Sequence, residues 1–237
     1  MKYIALPDDV GQRRLSFYLA MEEYVARQTE AGDAFFLWQV EPSVIFGRNQ
    51  SLESEVNVDY CRRHGIGMYR RKSGGGCVYA DRDNLMLSYV TAEQNSQLAF
   101  HTFVGMVVLV LRRLGIEAVG TSHNDVLIGG RKVCGMACYH LPERSIVHST
   151  MLYDTNMDHI QHAITPSRQK LQSKGVQSVR QRITLLKDHV ALSLDELKVF
   201  LRETLCRGER QLAACDVAAI EQIEQTYLRE EFINLIS

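Results

Sequence analysis

Between residues 35 and 153 the chain breaks into eight short β-prone runs with one long apolar helix among them, and this limits the fold more than any other feature. The runs are Phe35 to Val40, Ser43 to Phe46, Ile66 to Arg70, Cys77 to Ala80, Leu85 to Val90, Asp125 to Ile128, Lys132 to Cys138 and Ile146 to Tyr153. Gly, Pro, Asn or Asp bounds them, as is usual for strands. The helix spans Leu98 to Leu114, with Gly115 placed to cap it. Gly129-Gly130 predicts a tight hairpin turn. An earlier helix is predicted over Arg13 to Gln28, where Leu15, Tyr18, Leu19 and Val25 form one apolar stripe. Glu22 falls on that stripe, so its carboxylate either reaches water or meets a partner. From about Leu194 the pattern is helical again, and the tail from Ala191 carries nine acidic against five basic residues. Hairpins with a few helices between them predict an α/β fold of the α+β kind, a mixed sheet with helices packed on it.

Composition narrows the class. A chain of 237 residues is read as one domain, residues 1–237, with residues 191–237 as its helical tail. At this size about 70% of the unfolded surface can be buried, so no disulfide or metal is needed for folding. The 27 basic and 28 acidic residues nearly cancel, which argues against a general nucleic-acid binder. With 46% hydrophobic residues and low net charge, disorder is excluded. The six cysteines show no CxxC spacing and read as reduced thiols. No signal peptide is visible, and the longest apolar run, Phe103 to Leu111, is far short of the roughly 20 residues of a membrane span. A cytoplasmic protein with no membrane partner is the expectation.

Three constellations carry chemistry. Arg70-Arg71-Lys72-Ser73-Gly74-Gly75-Gly76-Cys77-Val78-Tyr79 runs three cations into three glycines between two strands. Glycines let backbone approach an anion and turn successive N–H groups toward it, and Arg supplies planar donors for carboxylate or phosphate oxygens. The alternative is a glycine turn beside a solvated basic patch; the spacing is neither Walker A nor GxGxxG. The second constellation runs from Asn124 to Gly135. Lys132 follows the hairpin turn at the head of an apolar strand, where its charge is either solvated or presented to an oxygen that becomes negative during acyl transfer. Asp125, on the partner strand, could hold a metal ion or balance that charge. In the third, period-2 alternation puts His148 and Thr150 on one face of a strand, either lining a site or satisfied internally. A zinc site at Cys134, Cys138 and His140 lacks a second ligand pair, and Cys77 beside the glycine loop is a possible nucleophile.

In this order and spacing the blocks resemble the lipoate–protein ligase A family. GRNQ (Gly47 to Gln50), RRKSGGGCVYADRDNL (Arg70 to Leu85) and NDVLIGGRKVCGMA (Asn124 to Ala137) carry the match, with HSTML (His148 to Leu152) and KLQSKGVQSVRQRI (Lys170 to Ile183). The resemblance implies the biotin/lipoate protein ligase catalytic-domain fold, a mixed sheet flanked by helices. It also implies a two-step reaction, in which lipoate and ATP give lipoyl-AMP and pyrophosphate, and an acceptor lysine then takes the acyl group. ATP and Mg²⁺ are the implied cofactors and lipoate the substrate. The implied partners are lipoyl domains of 2-oxoacid dehydrogenase complexes or the glycine cleavage H protein. Carried onto this sequence, Lys132 is the catalytic residue, contacting the acyl carbonyl and phosphate oxygens. Arg70, Arg71, Ser73, Gly74, Gly75, Gly76, Cys77, Val78, Asn84, His148 and Thr150 bind ATP or the adenylate. Asn124 and Asp125 line the nucleotide side, Asp125 through Mg²⁺. The lipoyl chain needs an apolar groove that Val78, Leu85 or Met136 could line. The chain departs from the family at Ala80, often His, and at Asp83 and Ser149, both often Gly; Ser149 is expected to narrow the space beside His148.

Many relatives of this kind carry a C-terminal accessory domain, which is expected to be absent here and replaced by a separate small protein. Two other functions compete. An octanoyl or lipoyl transferase, ATP-independent and working through a cysteine thioester, needs a suitably placed Cys, and none lies in Gly115 to Asn124. A non-catalytic binder of lipoyl-adenylate would bind without modifying an acceptor. A biotin ligase is disfavoured because its GRGRxGR-like loop is missing.

Overall fold

The computed structural model describes residues 1–28, 32–122, 124–165 and 182–234. Its elements in chain order are β1 (Lys2–Ala5), α1 (Leu15–Arg27), β2 (Ala34–Trp38), β3 (Ser43–Phe46), α2 (Leu52–Glu55), α3 (Val58–Arg63), β4 (Gly67–Arg70) and β5 (Val78–Ala80). Then follow β6 (Asn84–Thr91), α4 (Ser96–Arg113), β7 (Ala118–Gly120), β8 (Asp125–Ile128), β9 (Arg131–Leu141), β10 (Arg144–Leu152) and α5 (Met157–Ala163). A 3₁₀ turn (Leu186–Asp188), α6 (Leu194–Leu205), β11 (Glu209–Gln211), α7 (Ala214–Leu228) and α8 (Glu230–Asn234) complete it.

The strands form two sheets where a single one is expected from the sequence. The larger has the order β11-β1-β2-β6-β10-β9-β8-β7, and the smaller the order β4-β3-β5. Both are mixed: β1 runs parallel to β2 and β11, β3 runs parallel to β4, and the other pairs are antiparallel. Every residue of β6 is buried, because helices cover both faces of the large sheet. Leu85, Leu87 and Tyr89 pack with Phe103, Val107 and Leu111 of α4, whereas Met86 and Val90 pack with Leu15 and Leu19 of α1. Each such large apolar side chain, once buried, contributes roughly 1.5–3 kcal/mol. Asn95 caps α4 by accepting from the backbone N–H groups of Gln97 and Leu98, and Gly115 ends it at φ +79. Gly129 and Gly130 take φ +55 and +74, the positive pair a two-residue I′ hairpin turn requires.

The acidic tail is not wholly helical. Leu197 and Leu201 of α6 join the α4 side of the core, while Val217, Ile220 and Tyr227 of α7 join the α1 side. Between them β11 adds a parallel edge to β1. Among the described residues, no helix is long and apolar enough to cross a membrane.

Candidate active site

The glycine loop leaves β4 at Arg70 and re-enters β5 at Val78, so both its ends are held beside β3. Gly75 takes φ +91, which favours glycine. A Cβ on Gly47 would lie 2.3 Å from the Gly75 carbonyl oxygen, so that glycine lets the loop fold back onto the β3 end. The cations are used differently from the sequence expectation. Arg71 donates to the carbonyls of Gly74 (2.7 Å), Gly76 (2.6 Å) and Ile45 (3.0 Å) and so clamps the loop. Burial lowers its pKa to about 10, which still leaves it charged at neutral pH. Arg70, 1% exposed, donates through Nη1 to the carbonyls of Gly47, Arg48 and Gln50, and through Nε to Ile233. Lys72 pairs with Glu23 at 2.6 Å and lies over the Tyr227 ring. The basic run is therefore mainly a frame for the loop.

Ser73 and His148 meet across 75 residues of sequence. The Ser73 hydroxyl lies 2.7 Å from His148 Nε2, and His148 Nδ1 lies 2.8 Å from Glu22. The other Glu22 oxygen accepts from Ser88 Oγ, which in turn accepts from Trp38 Nε1. Glu22 thus meets a partner rather than water. Ser149 does not crowd His148. The pleat turns its hydroxyl to the opposite face, toward the Cys134 thiol of the α4 core, although the residue itself still borders the cleft.

At the other end, Asp125 on β8 stands between two cations. Lys132 Nζ lies 2.6 Å from Oδ1, and Arg182 Nη2 donates to Oδ2 at 3.1 Å. A Cβ on Gly135 would come within 2.2 Å of Lys132 Nζ, so the ammonium occupies space that only glycine leaves open. Asn124 and Met136 bond each other: Met136 N–H donates to the Asn124 carbonyl at 2.9 Å, and the Asn124 side chain to the Met136 carbonyl.

One cleft of about 310 Å³ joins these parts. Leu19, Trp38, Ile45, Val78, Met86 and Met136 supply apolar walls, and Asn124, Asp125, Lys132 and Arg182 also line it. Arg71, Gly75, Gly76, Cys77, His148 and Thr150 border it as well. Four residues expected to bind ATP or the adenylate do not line it. Arg70 serves backbone carbonyls; Ser73 reaches it only through His148; Gly74 is held by Arg71. Asn84 bonds the Tyr79 carbonyl and Thr155 at the end of β6. Leu85 faces α4, and its neighbour Met86 takes the place expected of it, again by strand alternation.

Asp125 by itself is not a metal site. Both its oxygens face cations, Oδ1 without accepting a hydrogen bond, and among the described residues no three His, Cys, Asp or Glu side chains converge, so a Mg²⁺ at Asp125 would need the phosphates of the nucleotide for its remaining ligands. The sequence reading did not single out Trp38, Met86 or Arg182. Glu22 carried a signal, a carboxylate on an apolar stripe, but its partner could not be read. Of the Lys170–Ile183 block, only Arg182 and Ile183 lie within the described residues.

The family model described as "Lipoyl protein ligase A/B catalytic domain" matches residues 15–206. Lipoate–protein ligase 1 of Staphylococcus aureus is 36% identical over 191 residues, covering 79% of this chain. The chain spans only 58% of that relative's length. A chain from a study of an archaeal lipoylation system, a bi-partite lipoate protein ligase and its E2 lipoyl domain from Thermoplasma acidophilum, superposes with TM-score 0.85 at 27% identity. That match covers 100% of this chain and 97% of the other. A lipoate-protein ligase A crystallised with ATP superposes with TM-score 0.83 at 26% identity, covering 99% of each chain.

Proposed function

Because the chain belongs to the lipoyl protein ligase A/B catalytic-domain family, we propose that it is the catalytic module of a lipoate–protein ligase. Lipoate and ATP give lipoyl-AMP and pyrophosphate, and the lipoyl group then passes to a lysine of an acceptor lipoyl domain, releasing AMP. The observation that carries this reading is the polarity of the cleft. An apolar stretch suited to an acyl chain leads into the paired cations Lys132 and Arg182.

In this reading the acyl carbonyl and the adenylate phosphate sit at Lys132, with the glycine loop alongside. The acceptor amine attacks the carbonyl carbon, the bond from that carbon to the phosphate-linked oxygen breaks, and AMP leaves with the bonding pair. Lys132 stabilises the negative charge that builds on those oxygens, so no protein nucleophile is needed. Acceptors are lipoyl domains of 2-oxoacid dehydrogenase complexes or the glycine cleavage H protein, met in the cytoplasm. Mg²⁺ would arrive with the nucleotide, and no step is assigned to it at Asp125.

A cysteine-based transferase would have to use Cys77, which borders the cleft. Burial pushes the thiols of Cys134 and Cys138 up to about 12 and about 11, so both are protonated at neutral pH. Cys77→Ser is expected to retain most lipoyl transfer. A folded but inactive Cys77→Ser protein, with a thioester trapped on the wild type, would move the assignment to the transferase.

The likeness to a chain of a bi-partite ligase supports a second protein, and the chemistry assigns it to the adenylation step. Activating a carboxylate requires ATP to be held and shielded from water, whereas a preformed mixed anhydride already stores the activation energy. The polypeptide alone is therefore expected to transfer readily from synthetic lipoyl-adenylate and poorly from lipoate plus ATP. Mass spectrometry of an acceptor lipoyl domain with each donor, at equal enzyme concentration, is the test. Equal rates would remove the need for a partner, and no transfer from either donor would overturn the ligase reading.

A further inference from the structure

We propose that Arg182 is a positioning residue for Lys132, acting through Asp125, whose carboxylate bridges the two cations. The proposal takes the importance of Lys132 from the ligase reading, but the geometry stands without it.

Two cations brought to one narrow cleft repel each other, and a carboxylate between them removes that repulsion while fixing their separation. Asp125 has this arrangement, with one oxygen toward each cation at 2.6 and 3.1 Å. Both cationic side chains are partly shielded, with relative exposures of 21% for Lys132 and 30% for Arg182, and Asp125 is 14% exposed. The backbone reinforces the link. Ile183, next to Arg182, makes a parallel bridge with Lys132, and Thr184 N–H donates to the Lys132 carbonyl at 2.9 Å. Arg182 is thus registered to the strand that bears Lys132, and its planar guanidinium sets the rotation of the Asp125 carboxylate. The ammonium in turn lies over Gly135, beside Asp125 Oδ1. Three oppositely placed charges form one unit with a surplus positive charge, which suits an anionic ligand and repels a free dication.

The test has an arm that does not depend on activity. Lysine side chains carrying ¹³C at Cε are observed by NMR in the ligand-free protein, and the Lys132 signal is assigned as the one lost in Lys132→Met. Arg182→Gln is expected to move that signal toward the position of exposed lysines, and Arg182→Lys to restore it. In an Asp125→Asn background, Arg182→Gln is expected to cause no further movement. Mg²⁺ alone should leave the signal in place. An unmoved signal in Arg182→Gln, a second movement in the Asp125→Asn background, or displacement by Mg²⁺ would each overturn the proposal. In parallel, Arg182→Gln should lower kcat for transfer from lipoyl-adenylate about tenfold, a misplacement effect, with the acceptor KM unchanged. If the wild type transfers nothing while the NMR pattern appears, the ligase reading falls and the bridge stands.

Discussion

Replacing Lys132 with methionine is expected to slow lipoyl transfer from synthetic lipoyl-adenylate by roughly a hundred- to a thousandfold, the usual cost of removing one preorganised charge stabiliser. The fold should survive, because Met keeps the length and apolar stem of Lys and its side chain can lie along the same wall. Asp125 would keep Arg182 as its partner at 3.1 Å, so no carboxylate is left buried without a cation. The variant should therefore melt within a few degrees of the wild type while its rate collapses. Rapid-quench kinetics with an acceptor lipoyl domain, set beside thermal unfolding, separates the two effects. A wild-type rate in a protein of unchanged stability would show that the developing charge is met elsewhere.

Gly47→Ala is expected to be the second severe change, although Gly47 touches no cationic group of the cleft. The new Cβ would lie 2.3 Å from the Gly75 carbonyl oxygen and 3.3 Å from the Gly74 carbonyl carbon. Backbone stands at both contacts, so no side chain can swing away. The loop resists displacement because Arg71 holds the Gly74 and Gly76 carbonyls, and Arg48 N–H donates to the Ser73 carbonyl at 2.9 Å. Overpacking of this kind costs about 1–3 kcal/mol. If that cost falls on the ligand-competent loop, affinity drops by roughly five- to a hundredfold. Titration calorimetry with a non-hydrolysable lipoyl-adenylate analogue measures it. Gly11→Ala is the control, since a Cβ there meets nothing within 4 Å. Equal affinities for the two variants would mean that the loop does not hold the ligand.

Hydrophobic period and turn chemistry made most strands legible. Ser43–Phe46 and Asp125–Ile128 coincide with their predicted runs, and the helix from Ser96 to Arg113 begins and ends within two residues of expectation. The strands that escaped, Lys2–Ala5, Ala118–Gly120 and Glu209–Gln211, are three or four residues long. So short a segment has no period to read, and it becomes a strand only because a neighbour offers backbone partners. The division into two sheets escaped for a related reason, since pairing between strands depends on register across the whole chain.

The site divided along the same line. Sequence alone marked the glycine loop, the hairpin with Lys132 and the strand with His148, because glycine φ freedom, turn geometry and strand alternation are local properties of the chain. It could not tell how the charges were used. Arg70, Arg71 and Lys72 look equivalent in a row, yet one binds the carbonyls of residues 47–50, one clamps the loop, and one pairs with Glu23. Arg182 lies 57 residues from the Asp125 it holds, and Glu22 lies 126 from His148. A charged side chain settles where desolvation, hydrogen bonding and an opposite charge balance, and those partners come from distant segments. Residue type and local backbone are written in order along the chain, but the electrostatic role of each charge exists only once the sheets and α1 have brought its partner to it.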